Sequence, residues 1–376
     1  MAGIYIHIPF CLQACHYCDF HFSTSLKYKP ALVRAITQEI NLRRKEFKHD
    51  FTSLYFGGGT PSLLDETDFR EIYKALELYV DFTKLKEITI EVNPEDISKD
   101  KLLMYRDFGI NRLSIGIQSL SSKVLKWMNR VHSQKQAIET LELSAALGFN
   151  NFSVDFIYGT PKELKRDYKQ ELKELVSYSP KHISCYHLTI EQGTYFGHLK
   201  AKNKITDLSD EYSEKEFLWI VNFLKEHNLN QYELSNFSKS GYTSFHNSNY
   251  WQQKPYIGIG PSAHSFNNNI RRWNISNNPI YIKKVEAKDV FFEEEELKEC
   301  DVYNERIMLG LRTEKGVDLD NIKTFLNEKQ QNNISQKIQS FSNDGLLDYT
   351  PNRIKMKPNK WLLAEYVSRE LFILNS

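Results

Sequence analysis

The reading turns on one stretch, Ile4-Tyr5-Ile6-His7-Ile8-Pro9-Phe10-Cys11-Leu12-Gln13-Ala14-Cys15-His16-Tyr17-Cys18. Residues 4–8 alternate like a β-strand, and Pro9 brings the alternation to an end. Three cysteines then fall within eight residues at the spacing C-x3-C-x2-C, so one loop delivers three thiolates at the carboxyl end of a strand. Such a loop can wrap an inorganic centre while backbone N–H groups donate to its sulfurs. Three readings stand open at this point. Cys11, Cys15 and Cys18 could carry a [4Fe–4S] cubane with one iron free for an outside ligand. They could hold zinc with His16, Asp19 or His21 as a fourth ligand, or they could be unligated thiols. Cys185 and Cys300 stand alone as small core residues or incidental thiols, and an odd total of five is no disulfide framework.

Working outward, β-rich runs at 4–8, 53–56, 87–92, 112–116, 152–157, 182–190 and 230–234 alternate with helical patterns, the signature of βα units on a mostly parallel sheet. The clearest helical pattern is Leu164, Tyr168, Leu172 and Leu175. Gly109-Ile110-Asn111-Arg112-Leu113-Ser114 and Gly148-Phe149-Asn150-Asn151-Phe152-Ser153 form a weak repeat in which each glycine closes a helix and the next strand opens. Seven such strands predict a partial or complete (β/α) barrel of the TIM type over 1–235, with chemistry at the carboxyl ends of the strands. Polar motifs occupy those ends: Gly57-Gly58-Gly59-Thr60-Pro61, Glu91 before Val92-Asn93-Pro94, Gln118, Arg130 and Asp155. Consecutive glycines let a ligand approach the backbone, carboxylates suit hydroxyl or ammonium groups, and an arginine suits a carboxylate.

Beyond residue 235 the pattern changes. A connecting segment at 236–290, rich in Asn, Ser and aromatics, contains His246-Asn247-Ser248-Asn249-Tyr250-Trp251 and leads into Glu293-Glu294-Glu295-Glu296, read as a solvated helix start. Over 291–376, helices at 300–311, 318–328 and 333–344, a β pair near Tyr349 and at 354–356, and a last helix from Trp361 predict a small winged-helix-like α/β module. A net charge of +1 gives no footprint for nucleic acid. With 41% hydrophobic and 26% charged residues, no apolar run long enough to span a bilayer and no leader-like N-terminus, a cytoplasmic location is expected.

The cysteine spacing after a first strand resembles that of the radical S-adenosylmethionine (SAM) proteins. The resemblance implies a [4Fe–4S] cluster on Cys11, Cys15 and Cys18, a free iron that chelates SAM, and an electron donor. The order of the strand-end motifs is similar to the coproporphyrinogen III oxidase-like subfamily, and it implies SAM contacts at Tyr5, Gly58, Gly59, Thr60, Glu91, Gln118, Arg130 and Asp155. It extends to Leu309-Gly310-Leu311-Arg312 and Gly316-Val317, which implies a C-terminal module like that of HemN. The oxidase branch adds a cysteine two residues after the third, where this chain has Phe20. The H-N-x-x-Y-W motif at 246–251 instead resembles the HemW-type heme chaperones. That implies heme as cargo, with His246 as an iron ligand, and an acceptor protein; oxygen-independent oxidative decarboxylation of coproporphyrinogen III is the alternative. The cysteine expected just upstream of the motif is absent from Gly241-Tyr242-Thr243-Ser244-Phe245. His264, in a glycine-rich loop, is a further histidine near the motif.

Overall fold

The computed structural model describes residues 2–206 and 209–374. Six parallel strands follow one another around a curved sheet in chain order: β1 (Ala2–Ile8), β2 (Phe51–Gly58), β3 (Glu87–Val92), β4 (Arg112–Gln118), β5 (Phe152–Tyr158) and β6 (His182–His187). In β1 the alternation sends Ile4, Ile6 and Ile8 into the apolar layer with Ile36 and Ile40 of the helix Lys29–Leu42, and turns Tyr5 and His7 to the inside. The repeated glycines do what their position predicts. Gly109 and Gly148 have φ of 72° and 82°, and their N–H groups and those of Ile110 and Phe149 bond back to Arg106, Ala145, Tyr105 and Ser144. Each helix therefore ends in a Schellman turn that feeds the next strand.

The barrel stays open. The expected seventh parallel strand over 230–234 is only β7 (Asn230–Gln231), which pairs antiparallel with β8 (Asn236–Ser238), itself antiparallel to β6. The chain leaves the sheet at Tyr232 because the backbone finds other partners there. The Glu314 N–H donates to the Tyr232 carbonyl at 3.0 Å, and the Leu234 N–H donates to that of Arg312 at 3.0 Å. At the other edge β9 (Tyr256–Ile259) runs parallel to β1, followed by antiparallel β10 (His264–Asn267), β11 (Ile270–Asn274) and β12 (Phe292–Glu296). Residues expected to connect two domains thus extend the same sheet. The Glu293–Glu296 run is not a helix start but β12 itself, because Glu294 and Glu295 lie directly opposite Arg272 and Arg271. The pattern beginning at Leu164 is broken too: Lys165 is left-handed, with φ 50°, and Asp167 caps a helix that starts at Tyr168.

The extension is tied to the barrel by a buried carboxylate. Glu39 is fully buried and accepts from Arg43 Nη1 at 2.9 Å, the Gly260 N–H at 2.8 Å, Asn274 Nδ2 at 2.8 Å and the Tyr281 hydroxyl at 2.6 Å. The C-terminal module packs the helix Glu299–Leu311 and the helix Glu328–Asn343 against a small antiparallel sheet ordered β13 (Val317–Asp318), β15 (Arg353–Met356), β14 (Leu347–Thr350). The helix expected over 318–328 is reduced to Asp320–Lys323, since Val317 and Asp318 pair with Ile354 and Arg353. Replacing Glu39 by Gln turns an amide N–H toward donors and leaves Arg43 with Glu46 as its remaining carboxylate partner, so it is expected to cost about 2 kcal/mol. A lower urea midpoint, with β9 to β12 losing hydrogen-exchange protection first, is the check.

Candidate functional site

At the carboxyl ends of the parallel strands the cysteine loop is pinned on several sides. The His16 N–H donates to the Met128 carbonyl at 3.0 Å, the Phe196 N–H donates to that of His16 at 2.9 Å, and Asn129 Nδ2 donates to that of Ala14 at 2.7 Å. The glycine triplet packs against its start. A Cβ on Gly59 would stand 2.7 Å from the Phe10 carbonyl oxygen, so only glycine lets the two loops touch there. Thr60 Oγ1 lies 3.5 Å from Cys11 Sγ and accepts from Asn93 Nδ2 at 3.1 Å. Asn93 Oδ1 accepts from Arg130 Nη2 at 2.6 Å, while Arg130 Nη1 reaches Cys15 Sγ at 3.4 Å.

These residues border a cavity of about 420 Å³ lined by Cys11, Cys15 and Cys18 and by seven of the eight residues singled out beside them: Gly58, Gly59, Thr60, Glu91, Gln118, Arg130 and Asp155. Tyr5 is not among them. Its hydroxyl lies 3.1 Å from His7 Nδ1 inside the barrel, and its ring packs with Tyr55 and His246. Gln118 takes a left-handed φ of 63° where the β4 register slips, a conformation uncommon for a non-glycine residue. Sequence reasoning passed over Asn93 and Tyr186 as site residues, although both line the cavity. Pro94 ends β3 and so places Asn93 at the mouth, and Tyr186 continues the inner face of His182 and Ser184.

The two carboxylates are held differently from surface acids. Glu91 accepts from the Tyr55 hydroxyl at 2.8 Å and the Gly58 N–H at 3.1 Å. Burial, reinforced by the nearby Asp155, still pushes its carboxyl up to about 7. Asp155 accepts from Ser114 Oγ at 3.2 Å and is likewise raised by burial.

Residues 5–175 match the Radical SAM superfamily and 297–363 the HemN C-terminal domain. Heme chaperone HemW of Bacillus subtilis (strain 168) is 32% identical over 84% of this chain and 85% of its own length. The chain belongs to the radical SAM superfamily, in its HemW branch. HemW of Lactococcus lactis is 28% identical over 99% of this chain and 97% of its own. The solved structure of coproporphyrinogen III oxidase (HemN) from Escherichia coli shares the fold, with a TM-score of 0.84 at 22% identity over 99% of this chain and 90% of that one.

Radical SAM membership implies a [4Fe–4S] cluster and SAM, and the residues fit both. Among the described residues no three His, Cys, Asp or Glu side chains converge on a point that would hold a single metal ion. A cubane instead meets each cysteine at a different iron, so its thiolates stand around a volume, as these three do around the cavity. Neither histidine of the zinc reading is placed as a ligand. His16 Nδ1 is 2.8 Å from the Trp127 carbonyl, and His21 Nε2 is 2.8 Å from Asn278 Oδ1. Burial raises the Cys11 thiol to about 11 and Cys18 to about 12, so their ionisation needs the positive charge that a cluster brings.

His246 lies at the other end of the barrel. The helix Phe245–Trp251 closes that end, and His246 is 2% exposed beneath β1 and β2. Its Nδ1 is 3.0 Å from Ser53 Oγ and its Nε2 2.7 Å from the Tyr250 hydroxyl, and its ring stacks on Tyr55. Burial and the Arg112 charge lower its pKa to about 3, so it is neutral, but neither nitrogen is free for iron. His264 lies instead on β10 beside Trp273, its imidazole pKa lowered by partial burial.

The Glu91 shift has a pH signature. A carboxyl raised from the ordinary value of 4.5 to about 7 binds more protons in the folded state, so stability is lost as pH rises through that window. Glu91→Gln removes this dependence. The variant is expected to gain on the wild type by roughly 2–3 kcal/mol between pH 4.5 and 7.5, read from urea unfolding of both proteins across that range.

Proposed function

We propose that the protein is a heme chaperone, which binds heme as cargo and passes it to an acceptor protein. The observation that carries this reading is the chain-long likeness to proteins named heme chaperone HemW. The site supports it. The cavity of about 420 Å³ at the three cysteines can take a cluster with the amino-acid end of SAM on its free iron. Phe20, where the oxidase branch carries its extra cysteine, is 69% exposed at the rim.

In this reading Cys11, Cys15 and Cys18 hold the cluster. When bound, it supplies an electron able to cleave SAM, delivered by a separate electron donor. Gly58, Gly59 and Thr60 offer backbone and hydroxyl groups to the amino-acid end of SAM, and Arg130 can meet its carboxylate by releasing Asn93 or Cys15. Glu91 and Asp155, on the wall of the cavity, can accept hydrogen bonds from ammonium or ribose hydroxyl groups. The cytoplasm is the compartment that fits three reduced thiols, and no helix among the described residues is long and apolar enough to cross a membrane.

The test is a heme titration of the anaerobically reconstituted protein, paired with incubation with coproporphyrinogen III, SAM and reductant. One heme per chain and no protoporphyrinogen is the expected result. Catalytic formation of protoporphyrinogen would overturn the reading in favour of the oxidase.

A further inference from the structure

Asn93, the first residue past β3, is held by its backbone. Its N–H donates to Ser62 Oγ at 3.4 Å and its carbonyl accepts from the Asp96 N–H at 3.0 Å, while Ser62 Oγ donates to Asp96 Oδ2 at 2.8 Å. The side chain then joins two arms of the cysteine site. Its Oδ1 accepts from Arg130 Nη2 at 2.6 Å, and its Nδ2 donates to Thr60 Oγ1 at 3.1 Å. A guanidinium only donates, so the amide meets Arg130 with its oxygen and is left with its N–H toward Thr60. The Thr60 oxygen, accepting from Asn93, keeps its own proton for Cys11 Sγ, 3.5 Å away. On the other arm Arg130 Nη2 also donates to the Gly116 carbonyl at 2.8 Å, and Nη1 is aimed at Cys15 Sγ at 3.4 Å. A Cβ on Gly116 would stand 3.0 Å from Asn93 Oδ1, so β4 leaves room for the contact. One polar arc thus runs from Cys11 through Thr60, Asn93 and Arg130 to Cys15, and at both ends a donor faces sulfur. Cys18 lies outside the arc and takes a backbone hydrogen bond from Phe20.

We propose that Asn93 is a positioning residue for the cluster: its amide orients Thr60 and Arg130 so that each donates to a sulfur that binds iron, and it thereby sets the potential at which the cluster accepts its electron. The inference rests on the reading of Cys11, Cys15 and Cys18 as cluster ligands and is independent of the cargo. A donor on a ligating sulfur draws charge from it and favours the reduced cluster, which carries one more negative charge, so each such bond raises the potential. Aspartate at position 93 has the same shape and the opposite effect. Its second oxygen takes the Thr60 proton away from Cys11, and its charge draws the Arg130 guanidinium away from Cys15.

The experiment is a redox titration of the reconstituted full-length protein followed by electron paramagnetic resonance, without SAM, which would compete for Arg130. Asn93→Asp is expected to carry the same iron and sulfide as the wild type and to disfavour reduction at least tenfold, a shift of about 59 mV to more negative potential for one electron. Thr60→Val is expected to shift the same way by less. In the Thr60→Val background the Asn93→Asp shift is expected to shrink, since one of the two donors it would turn away is already gone. An unchanged potential in Asn93→Asp, or a shift of equal size in both backgrounds, as a bare added charge would give, would overturn the proposal and leave the cluster in place. If Asn93→Asp takes up no cluster, Thr60→Val decides. Electron–nuclear double resonance of the reduced cluster in H2O and D2O is expected to show an exchangeable proton in the wild type that Thr60→Val lacks, and identical spectra would overturn the proposal. Failure of the wild type to take up a [4Fe–4S] cluster would overturn the cluster reading together with it.

Discussion

One buried carboxylate organises the closed end of the molecule. Glu87, at the start of β3 and 3% exposed, accepts from Ser244 Oγ at 3.1 Å and from the N–H groups of Phe245 and His246 at 2.8 and 3.1 Å. It satisfies the orphan donors of a seven-residue helix that would be marginal alone, and it sets a negative charge against the positive helix end. Because that helix is fixed under the strands, His246 enters the stack with Tyr55 and Tyr5, and Trp251 is left facing the C-terminal module. Both ends of the barrel take their character from this placement.

An open parallel barrel with a polar interior has to satisfy the groups that it encloses. Here the inner residues do so in tiers: Ser53, Glu87 and His246 near the amino ends, Tyr5 and Tyr55 in the middle, Glu91 and Asp155 toward the mouth. The tiers touch, since the Tyr55 ring lies on His246 while its hydroxyl donates to Glu91. The wall beneath the cavity is therefore a packed polar column, and it separates the cysteine pocket from the helix that closes the other end.

The segments that depart from their own local pattern do so for one reason. Alternation and propensity describe a segment's own preference, but a strand is made by its partner. Glu293–Glu296 has the composition of a helix start and became β12 because Arg271 and Arg272 stand opposite. Residues 230–234 have the pattern of a barrel strand, yet Tyr232 and Leu234 bond to the C-terminal module instead. Tyr5 sits in a motif at the right distance from Cys11, and its inward-facing ring packs on Tyr55 within the barrel.

What the sequence by itself determined is whatever depends on local spacing. The C-x3-C-x2-C loop after a strand, the glycines that end helices at 109 and 148, and the polar residues at successive strand ends are short-range features, and each stands where its spacing puts it. What only the tertiary structure decided is accessibility. The H-N-x-x-Y-W motif is fully legible as a string, but helical geometry divides it between two faces, so His246 is engaged by Ser53 and Tyr250 inside the barrel while Trp251 faces the C-terminal module. No spacing rule carries that information, because the partners that engage the imidazole lie 193 residues away in β2 as well as four residues along the helix.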